Sequence, residues 1–390
     1  MDHGATVIEP FAPTIDADVM DDLRSRLAAT RWPDAPPGAG WDMGADVAYL
    51  RELAESWLHD FDWGAQLKRF TRFPQFRVDL GGQRVHTIYE RGVTAGASSP
   101  APMPLLLNHG WPDSSWRYTK VIPLLADPGA HGADPADAFD VIVPEMPGFG
   151  WSDSPRGGPL NSIEVAGLWA RLMTALGHQR FATAGGDIGS HVSRFLSLDF
   201  PERVIASHRI DAGMPRYGGD PAELTPEERA WLTDGAAWLA EEGAYASMHR
   251  TKPQTIAAAL TDSPMGLAAW IVEKLRSWSD CGGDLESVYS KDDILTLVTQ
   301  YWVTGTVGSS MRMYRANAAI DLAQFSRRVE VPSGFSLFPG DIAPPPRAWL
   351  ERTTRLERLT TPPRGGHFAP FEQPEAYAQE LRDFFRPYRR

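Results

Sequence analysis

The segment 185–189, Gly-Gly-Asp-Ile-Gly, has an aspartate at the centre of a Gly-x-nucleophile-x-Gly spacing. Such a spacing is typical of a strained turn between a strand and a helix, which exposes its central side chain and needs small neighbours. A carboxylate at that position can attack a saturated, electrophilic carbon and form an ester with the protein. The chemistry predicted for Asp187 is therefore alkyl transfer to its carboxylate, followed by hydrolysis of the ester.

Hydrolysis of such an ester needs a base, and His367 lies on a glycine loop, residues 364–368, after the last predicted strand. Imidazole suits this role because its unperturbed pKa lies near neutrality. Asp341 follows the preceding predicted strand and is expected to orient the histidine. The chain order Asp187, Asp341, His367 is that of the nucleophile, acid and histidine in one type of catalytic triad. Each residue alone is more often a turn or loop residue, but their joint order favours catalysis.

The segment His109-Gly-Trp-Pro112 follows another apolar run and is the best site for an oxyanion hole. The backbone N–H of Trp111 can pair with that of Ile188 to stabilise a negatively charged oxygen. An ordinary Gly-Pro turn is the alternative interpretation, but the position upstream of the nucleophile favours the oxyanion hole. The side chains of His109, Trp111, Pro112 and Ile188 are predicted to line the substrate pocket.

These motifs all follow short apolar runs, which is the pattern of buried strands in a parallel sheet. Helical patterns lie between several of the runs, for example over residues 163–176. Strands that alternate with helices predict an α/β fold with a doubly wound, mostly parallel sheet. Ligands bind beyond the carboxyl ends of the strands in such sheets, which is where the motifs fall. The runs are 105–107, 141–143, 181–184, 204–210, 333–338 and 355–359.

Further patterns predict elements at the two ends of the chain. Amphipathic helices are predicted over 14–30, with Asp16 as N-cap, and over 46–58. Alternating residues on either side of Gly-Gly, over 76–89, predict a hairpin. The chain is expected to end in a helix over 374–385.

Four segments follow from this pattern. Residues 1–75 are predicted to be a structural N-terminal segment that buries its aromatic side chains, and residues 76–213 the first part of the core. Residues 214–320 are helical without strand runs and are predicted to form a lid. Residues 321–390 are predicted to complete the core.

Composition excludes several classes of function. The chain has 390 residues, of which 43% are hydrophobic, and a formal net charge of −12. It lacks stretches dense in Lys or Arg, so binding to nucleic acid or to an anionic membrane is not expected. The single cysteine, Cys281, excludes an internal disulfide and a cysteine-based zinc cluster. No metal-ligand motif, phosphate-binding glycine loop, leader pattern or long apolar run occurs, so no metal or cofactor is expected and a cytoplasmic location is predicted.

Together these motifs resemble those of the microsomal-type epoxide hydrolases, and the resemblance covers nearly the whole chain. It implies an α/β-hydrolase fold with an N-terminal helical meander, and the conversion of an epoxide to a vicinal diol. The implied reactants are a small-molecule epoxide and water, and a homodimer is one assembly that the sequence leaves open. The motifs are Thr30-Arg-Trp-Pro33, His109-Gly-Trp-Pro112, Pro147-Gly-Phe-Gly150, Gly185-Gly-Asp-Ile-Gly-Ser190, Tyr301-Trp-Val-Thr-Gly305, Gly365-Gly-His-Phe368 and Phe371-Glu-Gln-Pro374.

The resemblance also implies two lid tyrosines that donate hydrogen bonds to the epoxide oxygen, and by position they are Tyr245 and Tyr314. The leaving alkoxide of an epoxide is strongly basic, so two phenolic donors can stabilise and protonate it. The chain departs from the family in two ways. Ile188 follows the nucleophile where many members carry Trp, which alters the pocket wall but not the backbone N–H. Membrane-anchored members begin with a transmembrane helix that has no counterpart here, so a soluble bacterial-type member is expected.

Three other functions were weighed against epoxide hydrolysis. A haloalkane dehalogenase shares the fold and the Asp nucleophile, but it typically needs a Trp after the nucleophile to hold halide, and the Ile188 side chain has no N–H to donate. A serine esterase is disfavoured because Gly-x-Ser-x-Gly does not occur. A non-catalytic binding protein of the same fold is disfavoured by the full set of catalytic residue types.

Overall fold

The structure, a computed structural model, describes residues 7–14, 16–94, 96, 101–214 and 216–389. Residues 1–6 of the predicted N-terminal segment, in which no leader pattern was recognised, lie outside this part. Within the described residues, nine strands form one sheet: β1 (Val7–Pro10), β2 (Gln75–Asp79), β3 (Arg84–Glu90), β4 (Met103–Asn108), β5 (Phe139–Pro144), β6 (Phe181–Gly185), β7 (Val204–Arg209), β8 (Val329–Ser336) and β9 (Thr354–Thr360).

The sheet is mostly parallel, as predicted. Its strands lie in the order β1-β2-β3-β5-β4-β6-β7-β8-β9. Strands β4 to β9 pair in parallel, whereas β1, β2 and β3 form an antiparallel edge that joins β5. Every residue of β5 and β6 is buried, because helices cover both faces of the central sheet.

The α-helices of the described residues include the predicted ones. Asp16 caps the first helix by accepting a hydrogen bond from the Asp18 N–H at 3.0 Å, as predicted. The predicted last helix is also confirmed. The helices are α1 (Ala17–Ala28), α2 (Val47–His59), α3 (Trp63–Phe70), α4 (Val121–Ala126), α5 (Ser162–Ala175), α6 (Ile188–Asp199), α7 (Pro226–Glu242), α8 (Ala244–Thr251), α9 (Pro253–Asp262), α10 (Pro264–Trp278), α11 (Lys291–Thr304), α12 (Val307–Ala318), α13 (Arg347–Thr353), α14 (Ala369–Glu372) and α15 (Pro374–Phe385).

The predicted hairpin is formed by β2 and β3, in which Val78 lies opposite Val85. Its turn needs positive φ, and Gly81 and Gly82 supply it with φ values of 78° and 90°. Both valines are fully buried, so the register of the hairpin is fixed by the face that it turns towards the core.

The parallel arrangement brings the predicted motifs to one edge of the sheet. The segment 109–112 follows β4, and Asp187 follows β6. Asp341 and His367 lie in the loops after β8 and β9, which are joined by a bridge between Gly340 and Gly366. Because parallel strands end at the same edge, these residues converge although they are far apart in sequence.

Helices α7 to α12 lie between β7 and β8, and the described residues of this insertion contain no strand. This agrees with the helical pattern of residues 214–320, while the division of the chain into four segments remains a prediction. Among the described residues, none of the helices is by itself long and apolar enough to span a membrane. Helices α9 and α10 reach such a length and hydropathy only when taken together, and they bend by 118° at their junction.

The N-terminal segment contacts helices of this insertion. Arg26 of α1 forms an ion pair of 2.6 Å with Asp262 of α9. The guanidinium of Arg276 in α10 lies 4.7 Å from the centre of the Trp41 ring. Helix α2 packs against α10 and α11. The segment therefore bridges the core and the insertion.

The predicted burial of aromatic side chains in this segment is confirmed for two of the five. Trp57 and Trp63 are buried, whereas Phe11, Trp32 and Trp41 are half-buried and each lies beneath an arginine. Strand β1 and helix α3 were not predicted. The side chains of β1 are all exposed, so they show no alternation of apolar and polar residues.

Trp57 offers a test of how firmly this segment is attached. Trp57→Ala removes a side chain that is 4% exposed, and such a truncation typically lowers the free energy of unfolding by about 3–5 kcal/mol. Urea unfolding followed by circular dichroism measures it. Met43→Ala is the control, since Met43 is 77% exposed and its truncation is expected to change stability by less than about 0.5 kcal/mol. Equal stabilities for the two variants would contradict the packing described here.

Candidate active site

Asp187 lies on a strained turn between β6 and α6. Its backbone has φ 58° and ψ −130°, a conformation that residues with a side chain rarely adopt. The turn packs closely against the loop after β4. A Cβ atom at Gly189 would collide with the carbonyl of Asn108, and one at Gly110 would collide with the Asp187 carboxylate. The glycines of both motifs are therefore required by the position of Asp187.

The carboxylate of Asp187 is contacted from two sides. The Trp111 N–H donates a hydrogen bond of 2.8 Å to its Oδ1, and its Oδ2 lies 3.6 Å from Nε2 of His367. Burial raises the pKa of Asp187, but His367 and the N–H groups of Ile188 and Trp111 outweigh burial and bring the pKa below its ordinary value. Asp187 is therefore ionised at neutral pH, which is the form that a nucleophile requires.

His367 and Asp341 form a second pair, and the structure thus brings the three predicted triad residues together. Nδ1 of His367 lies 2.7 Å from Oδ1 of Asp341, and both side chains are almost completely buried. Burial lowers the pKa of His367, but the charges of Asp341 and Asp187 outweigh it and raise the pKa to about 10. The histidine is therefore an imidazolium while Asp187 is charged, and not the near-neutral group expected from its residue type.

The loop that carries His367 is fixed by two charged residues that the sequence interpretation missed. Glu372 accepts hydrogen bonds from the N–H groups of Gly366 and Phe368, at 3.0 and 2.8 Å. Arg117, which is fully buried, donates to the His367 carbonyl at 2.6 Å and pairs with Asp113 at 2.7 Å. Glu372 belongs to a recognised motif, but its partners are backbone N–H groups, which leave no mark in the sequence.

Asp211 is a third missed residue and lies closer to the chemistry. It follows β7, and its Oδ2 accepts hydrogen bonds from the Asp187 N–H at 2.7 Å and from the Ser190 hydroxyl at 3.0 Å. Burial and the neighbouring Asp341 raise its pKa to about 6. Asp211 therefore holds the turn that carries Asp187 in place. Its position after a strand, like those of Asp187 and Asp341, was the available signal.

Tyr245 of α8 and Tyr314 of α12 contact each other, with their ring centres 6.0 Å apart and their rings nearly perpendicular. Tyr245 stacks on Trp111 at 5.4 Å, with 10° between the rings. Burial raises the pKa of both phenols, and the charge of Asp187 raises it further. Both hydroxyls are therefore protonated and available as donors.

A cavity of about 630 Å³ connects these groups. Its lining includes Asp187, His367 and Asp341, the two tyrosines, and apolar side chains such as Trp238, Leu239 and Ile342. Of the four side chains predicted to line the pocket, Ile188 does so. This size and composition suit a largely apolar small molecule.

The other three predicted lining residues require a correction, because the cavity lining does not include them. The imidazole of His109 is fully buried and lies behind the site, where its Nε2 accepts a hydrogen bond from the Met146 N–H at 3.0 Å. The Trp111 indole is covered by Tyr245, and Pro112 is also buried. Their segment reaches the site through the N–H of Trp111 and not through side chains.

The described residues contain no group of three or more His, Cys, Asp or Glu side chains arranged to hold a metal ion. The polar groups that converge on the cavity are instead a carboxylate, an imidazole paired with a second carboxylate, and two phenols. This set can perform nucleophilic attack, proton transfer and stabilisation of a negatively charged oxygen.

Comparison with known proteins identifies the family. Residues 8–118 match the family model described as epoxide hydrolase N terminus, and residues 103–234 match that of the alpha/beta hydrolase fold. Epoxide hydrolase 1 of Sus scrofa is 32% identical over 406 residues, which cover 97% of this chain and 88% of that protein. The chain belongs to the microsomal-type epoxide hydrolase family. A Stigmatella aurantiaca protein with the name "Putative epoxide hydrolase" is 38% identical over 383 residues, covering 98% of this chain and 86% of its own.

Solved structures of epoxide hydrolases confirm the α/β-hydrolase fold of this family member. The juvenile hormone epoxide hydrolase of Bombyx mori superposes with a TM-score of 0.88 at 27% identity, covering 99% of this chain and 95% of that one. The Aspergillus niger epoxide hydrolase gives a TM-score of 0.84 at 28% identity, covering 98% and 97%. The likeness therefore extends over the core, the helical insertion and the N-terminal segment.

The charge on Asp187 is expected to control the protonation of His367. Asp187→Asn removes a negative charge 3.6 Å from Nε2, so the pKa of His367 should fall from its raised value of about 10. The imidazole of the variant then loses its proton at a lower pH than in the wild type. Titration of the histidine ring signals by nuclear magnetic resonance measures both values. An unchanged midpoint would show that Asp341 alone sets the pKa.

Proposed function

We propose that this protein hydrolyses an epoxide to a vicinal diol through a covalent ester on Asp187. The observation that carries the proposal is the ionised Asp187 carboxylate, which faces His367 on one side and a cavity roofed by two tyrosines on the other. The names of its relatives support the reaction class. The reactants are a small-molecule epoxide and water.

In the first step, a carboxylate oxygen of Asp187 attacks a ring carbon of the epoxide. A C–O bond to Asp187 forms as the ring C–O bond breaks, and the negative charge moves to the epoxide oxygen. Tyr245 and Tyr314 donate hydrogen bonds to that oxygen, and one of them transfers its proton. Helices α7 to α12 act as the lid that supplies both phenols and excludes bulk water.

In the second step, the ester is hydrolysed. The negative charge of Asp187 is lost on alkylation, so the pKa of His367 falls and the imidazole can act as a base towards water. Asp341 orients the ring through Nδ1. Water adds to the ester carbonyl, and the N–H groups of Trp111 and Ile188 stabilise the oxyanion. Collapse of this intermediate regenerates the carboxylate and releases the diol, whose alkoxide takes the proton that His367 accepted from water. The second proton of that water returns to the tyrosine that was deprotonated in the first step.

The source of the oxygen added to the diol tests the covalent step. In a single turnover with excess enzyme in oxygen-18 water, the diol should contain unlabelled oxygen, because Asp187 supplies it. Mass spectrometry of the diol measures the label. Many turnovers serve as the control, since solvent oxygen then enters through the regenerated carboxylate. Label in the first-turnover diol would mean direct attack by water.

His367→Gln provides a matched variant for the same experiment. It keeps a neutral polar side chain but lacks the base for ester hydrolysis, so it should accumulate protein heavier by the mass of one substrate. Peptide mapping should locate the added mass at Asp187.

Chloride or bromide release from the corresponding haloalkane is measured in parallel, and it would favour a dehalogenase if it exceeded diol formation.

The two tyrosines are expected to act in the first step. Each Tyr→Phe substitution at 245 and 314 keeps the ring and removes one donor, which commonly lowers such a rate about 10²-fold. The double variant should lose more than either single variant, because one tyrosine can partly replace the other. Stopped-flow tryptophan fluorescence during alkylation measures the rates.

Tyr289→Phe is the control for this series. It makes the same change in the helical insertion, where the Tyr289 hydroxyl lies 3.4 Å from the Ser279 hydroxyl and outside the cavity lining. If the double variant alkylates as fast as this control, the tyrosines are packing residues and the epoxide oxygen is activated by another group.

A further inference from the structure

The catalytic cavity is lined by two arginines that the proposed mechanism does not use. Arg216 follows β7 and is half-buried, and Arg250 lies near the end of α8 and is more exposed. Within the described residues, neither guanidinium forms an ion pair with a carboxylate. The hydrogen bond of Arg216 is a long one, at 3.5 Å, to the carbonyl of Asn317. Two positive charges therefore line a largely apolar cavity without anionic partners among these residues.

The surroundings of Arg216 disfavour its positive charge. Burial and the neighbouring Arg250 both lower the pKa of Arg216. His191, which lines the same cavity, is held neutral because burial and the charges of nearby arginines, Arg216 foremost, lower its pKa to about 3. Partial burial of unpaired positive charges is unfavourable, and a bound anion would offset that cost.

Helix geometry relates the arginines to the reacting groups. Tyr245 and Arg250 lie five residues apart on α8, so their positions are separated by about 7.5 Å along the helix axis. On the adjacent α12, Tyr314 precedes Asn317, whose carbonyl contacts Arg216. Both helices therefore carry a phenol and, three to five residues further on, a group associated with the guanidinium pair.

We propose that Arg216 and Arg250 bind a carboxylate of the substrate, so that the preferred substrate is an epoxide on an aliphatic chain that ends in a carboxylate. The inference rests on the epoxide hydrolysis proposed above. Tyr245 and Arg250 lie at different heights along α8, so a chain of several methylene groups is needed to join an epoxide held by the tyrosines to a carboxylate held by the arginines. Apolar side chains such as Trp238, Leu239 and Ile342 would contact the intervening methylene groups.

The negative charges of the cavity favour the same orientation. Asp187, Asp211 and Asp341 line it, and His367 supplies one positive charge beside them. A substrate carboxylate is repelled by these carboxylates and attracted to the arginines, whereas the uncharged epoxide is not. The charge distribution thus directs the epoxide, and not the carboxylate, towards Asp187.

The test compares a medium-chain fatty acid that carries a terminal epoxide with the methyl ester of the same acid. The measured quantity is the ratio of kcat/KM for the acid to kcat/KM for the ester. The wild type is expected to favour the acid, and this preference should weaken as salt is added, because screening acts on the acid alone. Equal kcat/KM values for acid and ester, independent of salt, would overturn the proposal.

Variants identify the groups responsible for this ratio. Arg216→Met should lower it by roughly 10- to 100-fold, the effect of losing a hydrogen bond to a charged group. Arg250→Met should lower it less because Arg250 is more exposed, and Arg216→Lys should restore part of it. Lys252→Met is the control, since it removes one positive charge from an exposed position outside the cavity lining. A double arginine variant with the wild-type ratio would overturn the proposal.

A binding measurement separates this inference from the proposed reaction. If the wild type hydrolyses neither epoxide, calorimetric titration with octanoate tests the arginines alone, and hydrolysis of an uncharged aryl epoxide tests the proposed reaction separately. Octanoate should bind the wild type and the Lys252→Met protein, and bind the double arginine variant at least tenfold more weakly. Equal affinities would show that the two arginines form no carboxylate site, whichever reaction the protein catalyses.

Discussion

The structure depends on keeping one carboxylate ionised while it is largely removed from water. Taking a charge out of water costs several kcal/mol unless polar groups replace the solvent. Asp187 meets this requirement with the N–H of Trp111 on one oxygen and His367 beside the other. This arrangement requires the strained backbone of the turn and the close approach of Gly110. A bulkier contact would keep the Trp111 N–H and His367 away from the carboxylate. The face towards the cavity stays open for a reacting carbon.

The carboxylates that support the site bind mainly backbone N–H groups rather than other side chains. Asp211 fixes the N–H of Asp187, and Glu372 fixes the loop of His367. The sequence identified the triad because each member follows a strand in a parallel sheet, where topology alone brings them together. It did not identify these supports: Asp211 also follows a strand, but a carboxylate that accepts from a distant backbone N–H has no partner residue type to recognise. The same limit explains why His109 was predicted to line the cavity, although it lies behind the site.

In the N-terminal segment, too, the sequence pattern predicts some elements but not the contacts that they make. The periodic helices α1 and α2 were predictable, whereas the exposed strand β1 had no apolar alternation to reveal it. What the segment does in the fold is set by long-range pairs, such as Arg26 with Asp262. These pairs attach the segment to α9 and α10, and α9 in turn packs against α8 and α12, which carry Tyr245 and Tyr314. The position of the phenols above Asp187 therefore depends on residues far from the site in sequence.

The negative charge of Asp187 affects the pKa of several groups in the site, and this would fix the order of the reaction steps. While Asp187 is ionised, its charge raises the pKa of His367 and of both phenols, so the imidazole is no base and the tyrosines remain donors. Formation of an ester would remove that charge from all of them at once. The imidazole would then be released to accept a proton from water only after the nucleophile had reacted. Attack and hydrolysis would thus be ordered by the electrostatics of Asp187, without movement of any catalytic group.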